Sequence, residues 1–132
     1  MNGELGSKQS SITSFTQLDG WKEGHSIVLL IYQMTKTFPK EELYGLTSQI
    51  RRSAISIISN IAEGFSRWSF KEKIQFYYIS QGSLTELQNQ LLIAKDIGYL
   101  PLERFQEADK QTIKVHKILN GLIKKSRDIH NS

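Results

Sequence analysis

Residues 49–64, Gln-Ile-Arg-Arg-Ser-Ala-Ile-Ser-Ile-Ile-Ser-Asn-Ile-Ala-Glu-Gly, constrain the fold more than any other stretch, because as a helix they leave almost no side suited to water. Ile50, Ala54, Ile57 and Ile61 recur at spacings of four, three and four and define one stripe; Ile58, Ala62 and Phe65 widen it beyond a narrow seam. Gln49, Arg52, Ser53, Ser56, Asn60 and Glu63 follow a second stripe at the same period. A helix so apolar around its circumference must be packed on several sides. Its short polar groups must then find hydrogen bonds wherever packing excludes water. A helical bundle or an oligomer meets both demands.

The remaining segments supply the partners. Asp19 can cap a first helix from about Gly20 to Thr37, with Trp21, Val28, Ile31 and Met34 near heptad spacing, and Phe38-Pro39 ends it. The second helix runs from about Leu46 to Ser66. Ser69-Phe70-Lys71-Glu72 is a capping-box pattern that opens a third helix, closed near Ile97 by Gly98. Ile74, Tyr77, Leu84, Leu87, Leu91 and Ala94 form its buried stripe. Gly82 sits in its middle, where glycine costs about 1 kcal/mol against alanine and predicts the close approach of another backbone. Pro101 opens a fourth helix whose seam is Phe105, Ala108, Thr112, Val115, Leu119 and Leu122. Short connections between four helices predict an all-α, antiparallel up-down-up-down four-helix bundle. The expected limits are a flexible N-terminal tail over residues 1–18, the bundle over 19–128 and a C-terminal tail over 129–132.

The chain has 132 residues and no cysteine, which excludes disulfides and thiolate metal sites. Its first residues lack the charged start, apolar run and cleavage site of a secretion signal, and its longest apolar run, Ile27 to Tyr32, is far shorter than the ~20 residues a membrane helix needs. The cytoplasm is the expected compartment. The net charge of +4 leans towards polyanionic partners, and its distribution is more telling than its size. Lys110, Lys114, Lys117, Lys124, Lys125 and Arg127 fall in a span without a single Asp or Glu. They read either as a solvated face or as a surface for RNA or DNA, bound through counterion release with little base selectivity.

Catalytic readings find no support in the residues. A di-metal carboxylate bundle needs glutamates followed three positions on by histidine, and none here is; His25, His116 and His130 are scattered. There is no His-Glu-x-x-His, P-loop or dinucleotide fingerprint. The expectation is a protein that is not an enzyme and carries no metal or cofactor. Ser56, Asn60 and Glu63, with Arg52 or Glu86 of the third helix, are the candidates for a buried polar cluster that fixes helix register. Arg51 and Arg52 project about 100° apart, so one can ion-pair with Glu86 or Glu63 while the other meets solvent or an anion. Trp68, Phe70, Phe76, Tyr77 and Tyr78 could stack on bases but are read as core or association surface.

Gln49-Ile50-Arg51-Arg52-Ser53-Ala54 and Ser59-Asn60-Ile61-Ala62-Glu63-Gly64 resemble the family of four-helix proteins encoded in intervening sequences of bacterial 23S rRNA genes. The resemblance continues in Trp21, Ile31-Tyr32, Phe38-Pro39, Tyr44-Gly45-Leu46, Gly82-Ser83-Leu84, Glu86-Leu87 and Gly98-Tyr99-Leu100. One departure is Ile58, where the family usually has proline, so the kink that proline would impose on the second helix is not expected here. The resemblance implies a homopentamer with no settled activity. A related accessory protein of diversity-generating retroelements partners a reverse transcriptase and contacts nucleic acid, which implies similar partners. The alternative is a structural or adaptor protein that binds another protein and no nucleic acid.

Overall fold

The computed structural model describes residues 12–132. Four helices carry the architecture: α1 Asp19–Thr35, α2 Leu46–Ser66, α3 Phe70–Asp96 and α4 Leu102–His130. Each helix packs on two neighbours, α1 and α3 both lying between α2 and α4, while the diagonal pairs stay apart. This is the expected four-helix bundle, with its helices in ring order. Among the described residues, no helix is long and apolar enough to cross a membrane.

The helix boundaries follow from local chemistry. Most of the expected N-terminal tail, residues 1–11, lies outside the described residues. Within its remainder, a capping box between Ser14 and Gln17 holds a 3-10 turn at Phe15–Gln17, and the Phe15 ring meets Trp21 edge-on at 5.5 Å. Asp19 is the first residue of α1 rather than its cap; Leu18 occupies the cap position without a side-chain bond. The Asp19 carboxylate still lies in the first turn, at the positive end of the helix dipole. Ser69 caps α3 as expected: its Oγ accepts from the Glu72 N–H at 3.2 Å and donates to the Glu72 carboxylate at 3.3 Å. Gly98 ends α3 with φ of 87°, the left-handed turn that glycine enters without a Cβ clash, and the Tyr99 N–H reaches back to the Ala94 carbonyl at 2.9 Å. The last helix continues through Ile129 and His130, where a C-terminal tail is expected from the sequence.

Two connections meet at the end of the bundle that holds the α1–α2 and α3–α4 turns. One Glu42 oxygen accepts from the Leu46 N–H at 3.2 Å, satisfying a free donor of the first turn of α2, and the other accepts from the Tyr99 hydroxyl at 2.9 Å. The first of these oxygens lies 2.8 Å from where a Cβ on residue 45 would stand, so Gly45 makes room for the carboxylate. The Tyr99 hydroxyl is pushed above its ordinary pKa, first by this hydrogen bond to Glu42.

The predicted stripe of α2 is the centre of the core. Ile50, Ala54, Ile57 and Ile61 are fully buried, among Ile27, Ile31, Leu84, Leu87, Leu91, Val115 and Leu119. Each such aliphatic side chain contributes about 1.5–3 kcal/mol through burial. Two close approaches set helix spacing. A Cβ on Gly24 of α1 would lie 2.5 Å from Cγ2 of Ile58, and one on Gly64 would lie 2.7 Å from the Tyr77 ring and 3.1 Å from the Lys73 carbonyl oxygen. Gly82, where a close backbone was expected, has open space instead.

Candidate nucleic-acid interface

The fourth helix arranges its basic residues by period alone. At about 100° per residue, Lys110, Lys114, Lys117, Lys124 and Lys125 share a sector about 100° wide over roughly 22 Å of axis. All five are exposed. Lys114 reaches Glu23 of α1 at 3.1 Å and Lys124 reaches Asp128 at 3.5 Å. Lys110, Lys117 and Lys125 have no carboxylate partner among the described residues. Glu23 also accepts from Gln111 Nε2 at 3.1 Å, and these hydrogen bonds, Gln111 first and Lys114 second, hold its carboxyl below the usual carboxylate range. Arg127 leaves the stripe: it turns to α3, where its guanidinium bonds the Tyr78 hydroxyl and lies 5.8 Å from the ring centroid.

Arg51 and Arg52 belong to a different surface. They project from α2, which is diagonal to α4, so they extend no patch begun by the lysines. Among the described residues Arg51 takes no carboxylate partner; its Nε donates to Thr35 Oγ1 at 2.9 Å and its guanidinium lies 4.6 Å over the Tyr32 ring. Arg52 is exposed between two depressions of about 410 and 380 Å3 that also share Tyr44 and Ser48. Tyr44 is 94 % exposed, and Tyr32, Leu43 and Ile55 continue the exposed apolar surface around it. In the second depression the side-chain oxygen of Gln90 is buried with no hydrogen-bond partner among the described residues.

The expected polar cluster forms only in part. Asn60 donates to the carbonyl oxygen of Ser56 at 2.8 Å and to its Oγ at 3.0 Å, and Ser56 meets Ser83 at 2.8 Å across the α2–α3 interface. Glu86 joins a neighbouring residue instead, accepting from Ser53 at 2.6 Å, and Ser80 donates to the Ile57 carbonyl at 2.6 Å. Glu63 is outside the cluster: it is half-exposed and pairs with Arg67 one turn on, at 2.9 Å. Arg52 is also absent from it. These bonds tie α2 to α3 along a seam and enclose no chamber in which titratable groups converge. Among the described residues, no three of His, Asp or Glu gather as a metal set would.

Sequence reasoning grouped Trp68 with the aromatics at helical spacing, yet it stands between helices, one residue before the Ser69 cap, and is 98 % exposed. That position was a usable signal, because a residue outside the helical period has no core face to occupy. Tyr77 goes the other way: it is buried against Gly64, and desolvation pushes its hydroxyl up to about 12.

The family model for the 23S rRNA-intervening sequence protein matches residues 16–121. This chain belongs to that family. A crystal structure from Bacteroides thetaiotaomicron, a protein of unknown function from the S23 ribosomal protein family, superposes with a TM-score of 0.74 at 21 % identity. The match covers 80 % of this chain and 98 % of that one, and it establishes the shared fold. No curated protein matches the chain.

Proposed function

We propose that this member of the family is a non-catalytic, self-associating bundle that binds nucleic acid through the lysine stripe of α4. The observation that carries the reading is the set of exposed lysines on one helical face, of which Lys110, Lys117 and Lys125 are unmatched by any carboxylate among the described residues. Such a face draws its affinity from phosphate neutralisation and counterion release, so it binds many sequences alike and weakens steeply with salt. Self-association is supported by the apolar surface around Tyr44, which a monomer would leave in water. The family resemblance supports a subunit number of five. Repeating a weak basic face around a ring multiplies its effective affinity without a new contact.

The test is a titration of labelled RNA and DNA at two salt concentrations, with light scattering on the same samples. Three neutralised phosphates per protomer give a slope of log affinity on log salt near roughly −2 for a single strand. Binding that falls with salt and is lost in the K110E/K117E/K125E variant supports the proposal. No binding at low salt sinks it, and leaves a protein adaptor, such as a partner of a reverse transcriptase, in its place.

A further inference from the structure

The turn between α2 and α3 carries a feature that the lysine stripe does not explain. Trp68 presents almost its whole indole to solvent, and its ring touches neither an aromatic nor a cationic neighbour among the described residues. Around it, cations and rings alternate. The Arg67 guanidinium lies 4.6 Å over Phe76, with its Nε buried and without a partner among the described residues. Lys73 Nζ donates to the Phe65 carbonyl at 2.6 Å and stands 5.4 and 5.8 Å from the Phe65 and Phe70 rings. Lys125, the C-terminal member of the α4 stripe, lines a depression of about 290 Å3 together with Phe65, Phe70 and Lys73. The stripe therefore runs into the end of the bundle where Trp68 stands. The carboxylates nearest in sequence are engaged, Glu63 with Arg67 and Glu72 with Ser69.

We propose that this end of the bundle is a stacking platform for single-stranded nucleic acid, with Trp68 receiving a base face and Lys73 and Lys125 guiding the adjoining backbone. The inference rests on the proposed nucleic-acid function and deepens it by naming the strand type. A duplex keeps its base faces stacked inside, so a projecting indole has nothing there to receive; a single strand offers a face at every nucleotide. The basic surroundings match a phosphate chain in sign. The depression at this end is walled by apolar groups, Ile12 and Ile129 among them, as well as by the two lysines.

The experiment uses the full chain and three labelled probes of one sequence: single-stranded RNA, single-stranded DNA and the DNA duplex. Loss of one stacked base weakens binding by about 5- to 150-fold. Trp68→Ala should lose affinity for single strands within that range and leave duplex affinity unchanged, while Trp68→Phe retains most of it. Single strands should quench indole emission in the wild type far more than in Trp68→Phe, whose remaining Trp21 is stacked on His25 at 4.8 Å. Comparison of the RNA and DNA arms identifies the sugar preferred. Equal single-strand affinity of Trp68→Ala and wild type overturns the platform. If K110E/K117E/K125E abolishes binding while Trp68→Ala does not alter it, the lysine reading survives and the stacking reading falls. Failure of the wild type to bind any probe at low salt removes both.

Discussion

Replacing Gly24 by alanine should destabilise the bundle, and the same replacement should become stabilising once Ile58 is shortened. The new Cβ would lie 2.5 Å from Ile58 Cγ2 and 3.9 Å from its Cβ, whereas carbon atoms rest at about 3.5–4.0 Å. The offending methyl is a branch at Cβ of a helical residue, where one rotamer strongly dominates, so relief needs an off-rotamer side chain or a backbone shift. Overpacking of this kind costs about 2–3 kcal/mol, the upper part of the usual range. Alanine's better helix propensity returns about 1 kcal/mol, leaving a net loss of about 1–2 kcal/mol. In urea unfolding the midpoint should fall without a change in slope, and the melting temperature should drop by about 3–10 °C. In an Ile58→Ala background the methyl is gone and only the propensity gain remains, so Gly24→Ala should raise stability by up to about 1 kcal/mol. The change of sign is the decisive result. If Gly24→Ala costs as much with alanine at 58 as with isoleucine, or stabilises the parent, the close packing of α1 on α2 does not depend on this pair.

The other glycines separate by the same reasoning: Gly82→Ala and Gly121→Ala, with open space around them, should each stabilise by about 0.5–1 kcal/mol, and Gly64→Ala, which meets a backbone oxygen at 3.1 Å, should destabilise. Urea melts rank the three, and a destabilised Gly82→Ala that also dissociates in light scattering would place α3 in a subunit contact. Ser80→Ala removes a buried hydroxyl donated to the Ile57 carbonyl and should cost about 0.5–1.5 kcal/mol, measured by the same unfolding. Alkali should expose Tyr77. Its pKa is raised to about 12 by burial, so its contribution to stability is intact below pH 10 and is lost as pH rises towards 12. Tyr77→Phe should flatten that decline, and an unchanged slope of stability on pH in this window would show that the hydroxyl ionises without unfolding. Glu23, whose pKa is depressed by Gln111 and Lys114, acts in acid: its contribution is present above the ordinary carboxylate pKa and disappears as pH falls below that range, so Glu23→Gln should make acid unfolding less steep.

The period of α2 was legible because its apolar positions repeat without a break over three turns, and the structure buries all four predicted members completely. The first helix was legible in its second half, where Ile31 and Met34 are buried as expected. Trp21 and Val28 only flank the core, and the buried stripe is Gly20, Gly24, Ile27, Ile31 and Met34, at spacings of four, three, four and three, with Thr35 buried beside it. Two glycines at its start hid that pattern, since glycine carries no hydrophobic signal although it marks the closest helix contact. Gly82 misled in the opposite sense: its place in mid-helix was plain, but only the rotation of α3 decides whether it faces a neighbour or water. Partner choice for polar groups was the least legible. Glu63 shares the stripe of Asn60, yet Arg67 lies four residues on and captures it locally; Arg51 finds Thr35 and Tyr32 only because of the way α1 lies against α2. The lysine stripe needed no such knowledge, being set by spacing within one helix.

Glu42 gives the bundle an architectural property beyond local capping. By clasping both Leu46 and Tyr99, it joins two helical hairpins at one pole, whereas at the other pole they are linked covalently through Arg67, Trp68 and Ser69. Proteolytic scission at that covalent link would yield fragments, each a hairpin with half of the interior, that remain mated through the interior and the carboxylate clasp. The two halves, expressed separately, should therefore reconstitute one particle.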